Sequence, residues 1–283
     1  MECKEKTYLK DSEKKSLIRA AGSFFTMWVR MMMIIQLLAA AIILGIVYKK
    51  MIKWEQGTTI TKKQAFVPIA LGAVGTIITF VLFLAINISL MQMGYTVANI
   101  QNLLLRSLTT SFLRAGLIEE LSRLLMILLA VRLFVPKNLY EYILTGAAVG
   151  IGITLLEEFL YGESIEALLR ITTLGVHTVL GIIMGKYLGL GKYNKENGLS
   201  YSRQYIAALA VPVLMHTIYD ACTVFNPALY LNDFDDYMMG IWLLVGLVCI
   251  VFTTVYQFVV IKKIKRDAEK YSQIIINKSL TRQ

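Results

Sequence analysis

Charged residues divide this chain into long uncharged blocks, and the blocks are apolar on every face instead of striped. Residues 237–261 run for 25 positions without a charge, more than the ~20 that cross a hydrocarbon core as a helix. Residues 64–105 are uncharged for 42 positions, room for one long span or two short ones. Spans are expected over 24–48, 65–94, 116–134, 140–161, 167–190, 204–225 and 237–261. Residues 95–115 carry Asn99, Gln101, Asn102, Arg106 and Arg114 and read as an interfacial or re-entrant helix. The pattern predicts an all-α, polytopic transmembrane helix bundle of seven or eight spans.

Composition narrows the organisation. With 57% hydrophobic and 17% charged residues, no polar stretch is long enough to bury a core of its own. Residues 1–23 are expected as a polar, interfacial amino-terminal segment, with Ser12 to Ala21 along the membrane surface. Residues 24–261 form a single transmembrane domain, and residues 262–283 a basic cytoplasmic tail. The formal charge of +10 does not imply nucleic acid, because the lysines and arginines flank the apolar blocks, where anionic headgroups account for them. The bilayer is the expected partner. Cys3, Cys222 and Cys249 are odd in number and contain no CxxC pair, so neither a disulfide framework nor a thiolate metal site is expected. Glu2, Glu5, Asp11 and Glu13 lie among the first lysines and no small-residue cleavage site follows, so a cleaved signal peptide is not expected.

Loop charges assign sides. Arg132 and Lys137, then Lys186, Lys192, Lys195 and Arg203, then Lys262, Lys263, Lys265 and Arg266 mark a cytoplasmic side. Glu163, Glu166, Asp233, Asp235 and Asp236 mark the external one. The amino terminus is ambiguous: seven spans put it outside, whereas eight put outside the loop containing Lys49, Lys50 and Lys53. Gly146 with Gly150, and Gly181, Gly185 and Gly189, recur at the spacing that lets helix backbones approach closely.

Polar residues inside the spans converge on one layer. Glu119 with Arg123, Glu157 with Tyr161, and His216 with Asp220 are each four apart, so each pair shares a helix face. The chain has two histidines, His177 and His216, and both fall in this layer, between the bilayer middle and its external face. Ionisable groups in hydrocarbon are costly and usually face a bundle interior. Carboxylates facing imidazoles suit hydrolysis: a buried glutamate takes a proton from water and a histidine supports the developing oxyanion. The expectation is a site without a cofactor; a divalent metal held by Glu and His is the alternative, although no HExxH motif is present. A proton-coupled transporter would also use buried Glu and His, but no inverted repeat is visible.

These motifs carry a resemblance. Glu119-Glu-Leu-Ser-Arg123, Gly150-Ile-Gly152 leading to Glu157-Glu-Phe-Leu-Tyr161, Arg170 with His177, and His216-Thr-Ile-Tyr-Asp220 appear in the order found in PrsW-type intramembrane proteases, within the wider group of CAAX-prenyl and bacteriocin-processing membrane proteases. The resemblance covers residues 116–225. Arg123 stands where that family more often has Lys, Ile153 where it has Phe, and Glu158 where it has Asn. It implies an endopeptidase of a bacterial plasma membrane that cuts a membrane-tethered protein, such as an anti-sigma factor, near the external face. Glu119 and Glu120 would supply the general base and its support. His177 would act as a catalytic or oxyanion-binding group, and His216 as a second one oriented by Asp220. Arg123, Glu157, Tyr161 and Arg170 would have supporting roles.

Overall fold

A computed structural model describes residues 33–161, 171–230 and 236–277, together with residues 27, 30 and 31. Arg170, the acidic residues Glu163, Glu166, Asp233 and Asp235, and the segment from Ser12 to Ala21 lie outside the described residues, as does the side chain of Tyr161. Helices account for nearly all of the described chain, and no strand is present among those residues. We label them α1 (Met33–Trp54), α2 (Lys62–Gln92), α3 (Leu103–Ser111), α4 (Glu120–Phe134), α5 (Leu139–Tyr161), α6 (Val176–Glu196), α7 (Ser202–Cys222), α8 (Asp236–Arg266) and α9 (Ala268–Gln273). Six of the helical stretches are long and apolar enough to cross a membrane: α1, α2, α5, the stretch Ile171–Glu196 that includes α6, α7, and α8. The all-α, polytopic architecture follows.

The segment read as interfacial or re-entrant is neither set apart from its neighbour nor a separate helix. From Leu103 the chain is helical without a break to Phe134, through a π-helical stretch at Phe112–Glu119 that joins α3 to α4. Asn102 starts the run by accepting a hydrogen bond from Leu105 N–H at 2.9 Å, the ordinary role of Asn at a helix start. Arg106 and Arg114 lie within it, as arginine readily does in a helix, the first guanidinium over the ring of Tyr230 and the second over those of Phe83 and Phe225. Glu119 and Glu120 therefore sit in the middle of a long helical run, not at its head. The run stops at Val135, which adopts a left-handed conformation (φ 45°), before Pro136 prevents continuation. Asn138 then caps α5, its side-chain oxygen accepting from Glu141 N–H at 2.9 Å.

α5 is the central helix, with α2 on one side and α6 on the other; α7 packs on α6, and the α3–π–α4 run closes the ring between α7 and α2. The burial of the spans follows this order: 72% of the apolar window of α5 is buried, against 6% for α8. Glycine permits the central contacts. A Cβ on Gly146 would lie 2.0 Å from the carbonyl oxygen of Gly181, and one on Gly150 would lie 2.1 Å from that of His177. On the opposite face of α5, a Cβ on Gly152 would meet the Ile69 carbonyl oxygen at 1.9 Å. The small-residue spacing thus marks backbone-to-backbone contact, as expected.

The bundle has one basic end. Glu55 in the α1–α2 loop accepts from Asn138 at 2.9 Å and from Ser272 at 3.1 Å, and Thr58 donates to Glu141. Lys186 lies over the Tyr271 ring. The lysine-rich loop after α1 is therefore at the same end as the start of α5, the end of α6 and the tail after α8.

Candidate active site

Four helical segments carry the candidate residues towards the opposite end. At ~1.5 Å of rise per residue, Glu119, Glu157, His177 and His216 lie roughly 21 to 28 Å along their helices from the basic end. α5 and α6 run antiparallel in backbone contact, which brings Glu157 opposite His177: His177 Nε2 is 2.9 Å from Glu157 Oε2. The π-helical stretch sets the other half. A Cβ on Gly116 would lie 2.1 Å from Thr217 Oγ1, so this segment presses on α7 one residue from His216. π-helical turns are often found at functional sites, and this one ends at Glu119.

The centre is a closed network. Arg123, with no solvent exposure, donates to Glu120 through Nη1, to Glu119 Oε1 through Nη2 at 3.1 Å, and shares a 2.7 Å contact between Nη2 and His177 Nδ1. A guanidinium has no acceptor, so His177 Nδ1 accepts and the ring donates its Nε2–H to Glu157. His216 Nδ1 is 2.7 Å from Glu120 Oε1 and 3.8 Å from Glu119 Oε1. The two imidazoles meet edge to face with centroids 5.2 Å apart.

Asp220 stands further off than the sequence suggested. Its carboxylate is 3.9 Å from His216 Nε2, whereas Glu120 is within hydrogen-bond distance of that ring, so Glu120 holds His216 in this arrangement. Arg170 and the Tyr161 side chain, both expected as supporting groups, lie outside the described residues. Glu158, next along α5, accepts a hydrogen bond from Gln36 of α1. Gln36 escaped the sequence reading, as did Gln257, which accepts from Gly175 N–H at 2.8 Å beside the start of α6. Each is a lone amide in an otherwise apolar span, a signal by which they could have been found.

One oxygen of Glu119 and one nitrogen from each of His177 and His216 lie within 4.8 Å of one another. Two imidazoles and a carboxylate are a donor set known from catalytic zinc sites. Each ring also has one nitrogen engaged by a different carboxylate, Glu157 or Glu120, which fixes the tautomer and puts the lone pair on the other nitrogen, where that of His177 meets Arg123 Nη2 in this arrangement. Glu120 Oε2, wholly buried, has no hydrogen-bond partner among the described residues. On these observations the residues fit a divalent cation.

The fold and this centre define a polytopic α-helical membrane protein with a carboxylate–imidazole site buried among its helices. The family model of the PrsW family intramembrane metalloprotease matches residues 62–257, well over half of the chain, and the chain belongs to that family. Protease PrsW of Halalkalibacterium halodurans is 28% identical over 140 residues, covering 48% of this chain and 64% of that protein. Protease PrsW of Bacillus subtilis is 31% identical over 119 residues, covering 40% of this chain and 54% of that protein. The chain thus spans between about half and just under two thirds of the length of these curated relatives. No solved structure matches it.

Proposed function

We propose that this chain is an intramembrane endopeptidase that hydrolyses a peptide bond of a membrane-tethered protein at the Glu119–Glu120–His177–His216 centre. The observation that carries the reading is the meeting of Glu119, His177 and His216 within 4.8 Å from three separate helical segments of a family whose description is a metalloprotease. Glu119, His177 and His216 would hold a divalent cation, which when bound lowers the pKa of water and polarises a carbonyl. Glu120 takes the proton of the attacking water through its spare oxygen, Oε2, while its other oxygen keeps His216 in place. Glu157 holds the Nε2–H of His177. Arg123 hydrogen-bonds both glutamates and adds positive charge where an oxyanion develops. The site lies towards the end opposite the basic loops; with those loops in the cytoplasm, cleavage occurs near the external face.

A second reading rests on Arg123. Its Nη2 contacts Glu119 Oε1 and His177 Nδ1, two of the atoms an ion would need, and in that arrangement Glu119 activates water without a metal, with the imidazoles at the oxyanion. Purified protein should therefore be assayed on a tethered substrate before and after chelation, with elemental analysis of the same samples. We expect near-stoichiometric metal, loss of cleavage on its removal, recovery on adding a divalent ion, and lowered metal content in His177→Ala and His216→Ala. Full activity in metal-depleted protein would establish the metal-free reading instead, and no cleavage of any tethered substrate by metal-replete protein would refute the peptidase reading.

A further inference from the structure

A cavity of about 600 Å³ lies away from the candidate site, between α1 and α2 against α5. Its wall on α1 is Ala41, Gly45, Tyr48 and Ile52, spaced so as to share one face, and the stretch from Ala41 to Ile52 is about 16 Å long. Ile69, Ile151 and Leu155 close its inner side. The apolar wall alone selects nothing, because a groove facing a bilayer gains no hydrophobic driving force when hydrocarbon fills it. Selectivity has to come from its rim.

That rim is cationic. Lys49 from the end of α1 and Lys62 from the start of α2 line the opening together with Thr61. Neither lysine makes an ion pair among the described residues. Lys62 and Lys63 are also the first two residues of α2, whose first turn contains no acidic residue. Cations at a helix start oppose the macrodipole, which favours an anion there. An elongated apolar cavity and an uncompensated positive rim at the basic end of the bundle match an acyl chain joined to a phosphate. We infer that this cavity is a seat for one anionic phospholipid, its acyl chain between α1 and α2 and its headgroup phosphate between Lys49 and Lys62. The seat is independent of the proposed peptidase chemistry and uses none of its residues.

Gly45 makes the test clean. A Cβ at this position meets nothing within 4 Å, and Gly45 lines the cavity, so a leucine there starts in open space and occupies part of the cavity. The full chain, delipidated in detergent and confirmed folded by its thermal transition, would be titrated with phosphatidylglycerol or phosphatidylcholine and read by native mass spectrometry. We expect one tightly retained phosphatidylglycerol and no comparable phosphatidylcholine, binding weakened about tenfold or more in Lys49→Gln/Lys62→Gln, and lost in Gly45→Leu. Lys195→Gln, outside the cavity, should bind as wild type. Equal retention of the two lipids, or unchanged phosphatidylglycerol binding in both the rim and the Gly45 variants, would reduce the cavity to bulk lipid contact and overturn the proposal.

Discussion

Arg123 shows why a single buried charge organises so much chemistry. It is wholly enclosed, and its two terminal nitrogens reach Glu119, Glu120 and His177 at once. A planar fork can do this and a lysine ammonium, a single point charge, cannot hold the same three groups in one geometry. Removing the charge leaves two buried carboxylates facing each other, so Arg123→Met should lower stability by about 3–5 kcal/mol, read as the thermal midpoint in detergent, with Arg123→Lys in between. Glu157→Gln should behave otherwise. It keeps the volume but weakens the hold on His177, so metal content or cleavage rate should fall about 10–100-fold with the thermal midpoint near wild type; equal loss of folded protein would assign Glu157 to packing. Pairs four apart were legible from spacing because they share a helix face. The grip of Glu120 on His216 joins residues 96 apart in the chain, and no local rule supplies it.

Among the helices, the α5–α6 contact decides where His177 stands. Gly150 lies against the backbone of His177 itself, so the packing surface and the site share a residue. Gly150→Ala should therefore push α6 away and impair cleavage more than it impairs folding, whereas Gly146→Leu, facing the Gly181 carbonyl, should abolish accumulation of folded protein. Expression, size-exclusion profile and single-turnover cleavage of the two variants would check this. The boundary expected between residues 95–115 and the span from 116 is absent for a related reason. Arg106 and Arg114 suggest a membrane-surface segment in sequence, yet the helix runs through both, and their guanidiniums lie over aromatic rings from other parts of the chain. The π-helical stretch was equally hidden, because a change of pitch leaves no periodicity that an all-round apolar segment can display.

In the assembled molecule, the hydrogen bonds from Asn138 and Ser272 to Glu55 resolve which loops share an end. The α1–α2 loop, the start of α5 and the tail after α8 form one basic face, which the proposal above puts in the cytoplasm on the positive-inside bias. Reporter cysteines at Gln56 and Lys195, in a background lacking native cysteine, should be shielded from an impermeant reagent in intact cells, and one at Leu229 labelled. The reverse pattern would place the site on the cytoplasmic side and remove external cleavage from the proposal.

Hydrophobic block length alone determined that this chain is a polytopic helical bundle, since hydrocarbon requires each span to satisfy its own backbone. Intramembrane cost likewise singled out Glu119, Glu120, Arg123, His177 and His216 as residues that had to face inward. Only the tertiary structure decided which of them touch. Within one helix the neighbours of a side chain follow from a fixed pitch, whereas contacts between Glu120 and His216, or Gln36 and Glu158, depend on how close two backbones come and at what register. Gly116 sets that distance where the π-helical stretch meets α7 beside His216, and Gly150 sets it where α5 meets α6 at His177.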